Sequence, residues 1–179
     1  MEKKQSKRIE TERRTMIQVF QHPHKTLMEV STEWKADDNI DGYDDLEKFE
    51  TDMIRLMSDE RGMGLAANQV GITKRFFAIG HESFDTFQKH AIIWNPQVIN
   101  FSEEKVIDVE GCLSFKDIFI KVQRPKVIEV KYETTQGKTR FAKLNGMESK
   151  CFQHELDHLD GITFNKRVSK LRWDMANKG

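Results

Sequence analysis

The stretch from Gly146 to Gly161 narrows what this chain can become more than any other part of it. Met147, Cys151, His154 and His158 recur at offsets 0, 4, 7 and 11, which is helical periodicity. Four residues of helix advance slightly more than one turn, so the two imidazoles of His154-Glu155-Leu156-Asp157-His158 project from one face and are able to share a metal ion. Glu155 follows the first histidine directly and points partly aside, which sets its carboxylate beside the water of such an ion instead of on the ion itself. Read alone, the same five residues also describe a charged, solvated helix face.

A third ligand is at hand in Glu110-Gly111-Cys112-Leu113-Ser114. The thiolate of Cys112 with two neutral imidazoles makes three protein ligands and leaves a fourth position for water, a count that suits catalysis and not a closed structural site. The other cysteine, Cys151, lies three residues before His154. As a fourth ligand it would close the position that water needs, so that role is rejected. Two cysteines cannot build the multi-bridge framework of a small secreted scaffold, and thiols kept free for a metal fit a reducing cytoplasm.

Composition sets the outer bounds. A chain of 179 residues suffices for a single core, hence one active site. Lys+Arg and Asp+Glu balance at 29 each, so no global field favours nucleic acid or an anionic membrane as partner. Apolar runs such as Ala91-Ile92-Ile93-Trp94 fall far short of the roughly 20 residues of a membrane-spanning helix. Residues 1–15 mix six basic and three acidic side chains without an apolar core, and read as a solvated arm instead of a secretory signal. The expectation is a soluble, cytoplasmic protein.

Along the chain, Leu46, Phe49, Met53, Ile54, Leu56 and Met57 predict an amphipathic helix over Asp44 to Met57. Glycines 62, 64 and 71 interrupt any regular element over Arg61 to Gly71 and predict a shaped loop. Strands are expected at Phe76–Ile79, Ala91–Trp94, Val106–Val109, Phe119–Val122 and Val127–Val130. A hairpin over Lys131 to Leu144, turning near Gln136-Gly137, would make Tyr132 and Phe141 cross-strand neighbours. No internal repeat or Pro-rich linker divides the chain. The fold class expected is α+β: one domain with mixed or antiparallel sheets packed around the metal-bearing helix, spanning 16–168 between the arm and a short tail, 169–179.

Three separated segments together resemble the peptide deformylase family: Gly62-Met63-Gly64-Leu65-Ala66-Ala67-Asn68-Gln69, Glu110-Gly111-Cys112-Leu113-Ser114 and Gln153-His154-Glu155-Leu156-Asp157-His158. The 154 − 112 = 42 positions between the cysteine and the first histidine match the family's usual arrangement. The likeness runs from about Met16 to Phe164, and Met16 is an alternative candidate start of translation. The resemblance implies that Cys112, His154 and His158 hold one divalent ion, ferrous iron in the usual native form, with zinc, nickel or cobalt able to replace it. It implies hydrolysis of the formyl group of N-formylmethionyl nascent peptides. Glu155 would pass a proton from water to the leaving amine, while the Gln69 amide and the Leu113 N–H would stabilise the developing oxyanion.

For substrate binding, Gly62, Gly64, Glu110 and Gly111 are candidates for close approach to an extended peptide, although the glycines also serve a simple turn. Met63, Leu65, Met147 and Cys151 are candidate walls of an apolar methionine pocket, with ordinary core packing as the equal alternative. Many relatives carry an arginine shortly after the cysteine motif where this chain has Phe119, so support around the site is expected to differ here. Lys150 falls where relatives often have an apolar residue. The short tail resembles compact viral forms, which suits a bacterial or phage-infected host cell. The tail is shorter than the long C-terminal helix of many bacterial relatives, through which some dock on the ribosome, so ribosome association is not carried over. Two alternatives stand beside this reading, a zinc endopeptidase using the same helix and a metal-retaining module that binds formylated peptides without turnover.

Overall fold

The computed structural model describes residues 17–177, so the charged arm 1–15 and the candidate start Met16 lie outside the described residues. The first long helix, α1 (Leu46–Asp59), begins where the Asp45 carboxylate accepts from the Glu47 N–H, which satisfies one orphan donor of the first turn. Its buried face carries Phe49, Met53, Leu56 and Met57, as the spacing predicts. The glycine-rich segment after it is more regular than expected. It forms a short strand, β1 (Gly64–Ala66), and a 3-10 turn over Ala67–Val70, because β1 finds a partner in β2 (Phe76–Ile79) that the local sequence does not reveal.

The remaining elements are β3 (Ala91–Phe101), β4 (Lys105–Cys112), β5 (Phe115–Pro125), β6 (Val127–Glu133), β7 (Thr139–Asn145), α2 (Gly146–Leu159) and α3 (Lys170–Ala176). Strands β1-β2-β3-β6-β7 form one sheet and the β4–β5 hairpin a second, with every strand pair antiparallel. The one parallel pairing among the described residues is an isolated bridge between Thr32 and Lys74. β3 continues past Pro96, beyond the expected end at Trp94. Its register against β6 shifts between Trp94 and Gln97, so the proline's missing N–H costs no ladder bond.

The β6–β7 hairpin also differs from expectation. Tyr132 opposes Arg140 and Lys131 opposes Phe141, so Tyr132 and Phe141 lie on opposite faces of the sheet. The cause is the turn, which closes with the Thr134 N–H on the Lys138 carbonyl and so shifts the register by one residue. Tyr132 packs on Phe87, whereas Phe141 is exposed.

Alternation along β2 shows how the layers meet. Phe76 packs edge-on against Phe49 of α1, and Phe77 against Phe152 of α2, with ring centroids 5.6 and 5.0 Å apart. The sheet is therefore covered on both faces at this end, which accounts for the wholly apolar Phe-Phe-Ala-Ile run. Each fully buried Phe contributes about 1.5–3 kcal/mol of transfer free energy.

Helix α2 is buried nearly all round, from Cys151 through Glu155 and again from Asp157 to Leu159. The large sheet takes one side. The other is closed by the end of β5, where the Gln153 amide donates to the Pro125 carbonyl at 3.0 Å. Behind the helix, Trp173 of α3 packs with Phe115 and Phe164, so part of the expected tail 169–179 belongs to a second apolar cluster. No helix among the described residues is long and apolar enough to cross a membrane.

Candidate metal centre and active site

Three elements converge on one point. Helix α2 supplies His154 and His158, the end of β4 supplies Cys112, and the 3-10 turn after β1 supplies Gln69. The ligand atoms of Cys112, His154 and His158 all lie within 4.8 Å of one another. Cys112 Sγ sits 3.2 Å from His158 Nε2. A sulfur and two imidazole nitrogens gathered this closely fit one tetrahedral ion with an open position.

The orientation of His154 is fixed from behind. Its Nδ1 lies 2.9 Å from Glu110 Oε2, so donation to this carboxylate leaves Nε2 free to face Cys112 and His158. Glu110 is in turn gripped by Arg124, whose Nε and Nη2 donate to its two oxygens at 2.5 and 2.9 Å. The Arg124 Nη1 also donates to Asp157 Oδ2 at 2.8 Å, and Arg167 closes the chain by binding Asp157. Burial alone would push the Glu110 carboxyl up, but the hydrogen bonds from His154 and Arg124 and their charges hold it down at about 2. Burial likewise works against the Arg124 guanidinium, and its two carboxylate partners more than offset that.

Sequence reasoning missed this support. Phe119, where relatives carry an arginine, is 68% exposed and lies against Gly111, while the guanidinium behind His154 comes from Arg124. A signal existed: Ile120, Val122 and Arg124 alternate along β5 and are all buried, which puts a charged group on a core-facing position that only a paired arginine can occupy. Asp157 stands inside the His-Glu-x-x-His motif and is also buried, bound by the two arginines. Asn68 was missed as well; its side-chain amide donates to the His158 carbonyl.

Glu155 is buried beside the ligands, and its Oε2 has no hydrogen-bond partner. Burial pushes its carboxyl up to about 7, against the pull of His154 and Arg124. Gly64 lies against it so closely that a Cβ there would meet the Glu155 carboxylate, which gives this glycine a steric reason independent of any turn. Gln69 is buried and fixed at both ends: its Oε1 accepts from the Ala66 N–H at 2.8 Å and its Nε2 donates to Ser114 Oγ at 3.0 Å. The second amide hydrogen remains on the side of Cys112 Sγ, 3.7 Å away.

A cavity of about 580 Å³ opens over this cluster. Gln69, Glu110, Cys112, Leu113, His154 and Glu155 line it, together with Gly62, Met63, Gly64, Gly111 and Cys151, and with Val109, Ile118, Phe119 and Lys150. Two expected pocket residues lie elsewhere. Leu65 points from β1 into the core and is fully buried, because it takes the opposite face of the strand from Gly64. Met147 is 45% exposed in the first turn of α2, seven positions from His154 and away from the cavity. Cys151 lies outside the three-ligand cluster, and burial pushes its thiol well up. The Lys150 ammonium reaches across to Asp108 at 2.5 Å and to the Val109 carbonyl at 3.0 Å, which ties α2 to β4 at the cavity edge.

An α+β fold in which a buried helix sets two histidines against a hairpin cysteine, with a buried glutamate beside them, has the make-up of a metal-dependent hydrolase. Residues 16–173 match the family model of polypeptide deformylase, and the chain belongs to that family. It is 36% identical over 154 residues to the peptide deformylase of Rhizobium meliloti, covering 86% of each chain. Among solved structures it is similar to the peptide deformylase of Thermotoga maritima, with a TM-score of 0.77 and 33% identity over 87% of this chain and 99% of that one. It is also similar to the enzyme of Synechococcus elongatus in complex with actinonin, with a TM-score of 0.82 and 28% identity over 93% and 88%.

Proposed function

We propose that this chain hydrolyses the formyl amide of N-formylmethionyl peptides, releasing formate and a free amino terminus, with Cys112, His154 and His158 holding one divalent ion. The observation that carries the reading is the convergence of that three-atom ligand set with a buried glutamate and a fixed amide donor in one cavity. A thiolate with two imidazoles suits ferrous iron, and accepts zinc, nickel or cobalt. When bound, such an ion supplies Lewis acidity, polarising a carbonyl oxygen and lowering the pKa of water to about 7.

The chain's own residues do the rest. Glu155, buried and with one oxygen unpaired, takes a proton from the attacking water and returns it to the departing amine. The Gln69 amide, held in place by Ala66 and Ser114, and the Leu113 backbone N–H donate to the formyl oxygen as charge grows on it. Because the Gln69 amide is positioned by other groups before substrate arrives, little reorganisation is spent there at the moment of reaction. The formyl group is small and neutral, so the methionine side chain supplies much of the binding, against the apolar surfaces of Met63, Leu113 and Cys151. The peptide beyond it runs past Gly62 and Gly111, which line the cavity and lie against Leu113 and Phe119. The catalytic domain we propose spans 16–168, and the packing of Trp173 extends the working unit into α3.

A thiolate beside ferrous iron is open to oxidation. Anaerobic loading with Fe(II) is expected to give one ion per chain and formate release from formyl-Met-Ala-Ser that decays in air, while the nickel form persists. Protein that retains one ion per chain yet releases no formate in either form contradicts the reading.

A further inference from the structure

A second cavity, of about 520 Å³, lies apart from the catalytic one and shares no lining residue with it. It is lined by the loop before α1, the first turn of α1, the end of β6 and the β6–β7 turn. Its size is that of a small-molecule site. Half-buried Trp34 and Tyr43 offer ring surface to it, backed by Trp94 and Phe49. The rings stand at angles to one another: Trp34 and Trp94 are tilted by 45° at 4.6 Å, and Tyr43 meets Phe49 edge-on at 5.2 Å. Three carboxylates, Asp38, Asp44 and Glu133, line the same space, and no Lys, Arg or His does. Lys74 neutralises Asp38 from outside the cavity at 2.6 Å, which leaves two negative charges facing it.

The walls are held in place by buried polar clamps. Asn95, at φ 47°, accepts from the Trp34 N–H at 2.8 Å and donates to the Trp34 carbonyl at 2.9 Å and to Glu133 Oε2 at 3.0 Å. One amide therefore fixes both an aromatic wall and a carboxylate. On the other side, Glu50 Oε1 accepts from Trp94 Nε1 at 3.1 Å and from the Thr135 hydroxyl at 2.6 Å, tying α1 to the hairpin turn. Ring faces carry negative quadrupole potential, and angled rings with uncompensated carboxylates attract a cation that also has apolar surface to bury. An inorganic cation would forgo the ring contacts, and a neutral ligand the carboxylates.

We propose that this cavity binds a small organic ammonium ion, with Trp34 and Tyr43 against its alkyl groups and Asp44 and Glu133 balancing its charge. The test is calorimetric titration of the full chain with choline and with 3,3-dimethylbutan-1-ol, which has the same shape and no charge. Choline is expected to bind saturably at one site per chain, and the neutral isostere roughly tenfold more weakly or not at all. Trp34→Leu and Glu133→Gln should each weaken choline binding about fivefold or more, and Trp34→Phe should retain most of it. None of the three should change formate release from formyl-Met-Ala-Ser. The proposal is overturned by no saturable choline binding, by equal binding of the isostere, or by undiminished binding in the folded Trp34→Leu protein.

Discussion

Replacing Gly64 by alanine tests how tightly the site holds Glu155, the proposed proton carrier. An ideal Cβ on Gly64 falls 2.6 Å from both Cγ and Cδ of Glu155, and ordinary contact starts at 3.4 Å, so the side chain has to yield by 3.4 − 2.6 = 0.8 Å. The atoms that collide include the stem of the glutamate, which cannot swing away as a free tip would. Gly64 has no positive φ and lies within β1, so alanine brings no backbone strain and the effect is one of crowding alone. A displacement of about 1 Å in a catalytic group costs roughly 10²-fold in rate, or about 2.7 kcal/mol of transition-state stabilisation. Overpacking should cost about 1–3 kcal/mol of fold stability in addition. The assay is kcat/KM for formate release at 25 °C with metal content measured on the same samples. Activity within threefold of the parent at equal metal content would refute the argument that Gly64 is there to make room for Glu155.

Two further outcomes follow from charged groups held at least half out of water. Arg124→Met leaves Glu110 buried without its guanidinium partner and Asp157 with Arg167 alone, which should destabilise the fold by about 3–5 kcal/mol and weaken metal retention about 10–100-fold, read by thermal melting and chelator competition. Burial raises the Glu50 carboxyl above its ordinary 4.5, so its contribution to stability is full below 4.5 and is lost as pH rises through the raised value; Glu50→Gln should flatten the melting profile across that window, and an unchanged profile counts against it.

The gathering of the candidate ligands is legible in the sequence because half of its spacing is local and the rest is marked by a motif. Helical offsets within α2 pair His154 with His158, and the motif around Cys112 marks the third ligand. What could not be read was set by partners distant in sequence. β1 became a strand only because β2 lies beside it, and Leu65 left the pocket when pairing fixed which face of β1 it takes. The Tyr132–Phe141 pairing failed by one residue because turn closure, not residue preference, sets a hairpin's register. Arg124 sits 14 positions from Glu110 and 33 from Asp157, and only the antiparallel pairing of β4 with β5 and the packing of α2 on that hairpin bring the three together. The short α3 reads as a solvated tail because the aromatic partners of Trp173, Phe115 and Phe164, come from other elements.

The most direct measurement compares the parent and Glu155→Gln, both loaded anaerobically with Fe(II) to equal occupancy, in formate release from formyl-Met-Ala-Ser. Removing the proposed general acid–base group should lower kcat by about 10²–10⁴-fold while leaving the metal in place, since Glu155 is not among the three gathered candidate ligands. Equal rates for the two proteins at equal iron content would contradict the account at its centre.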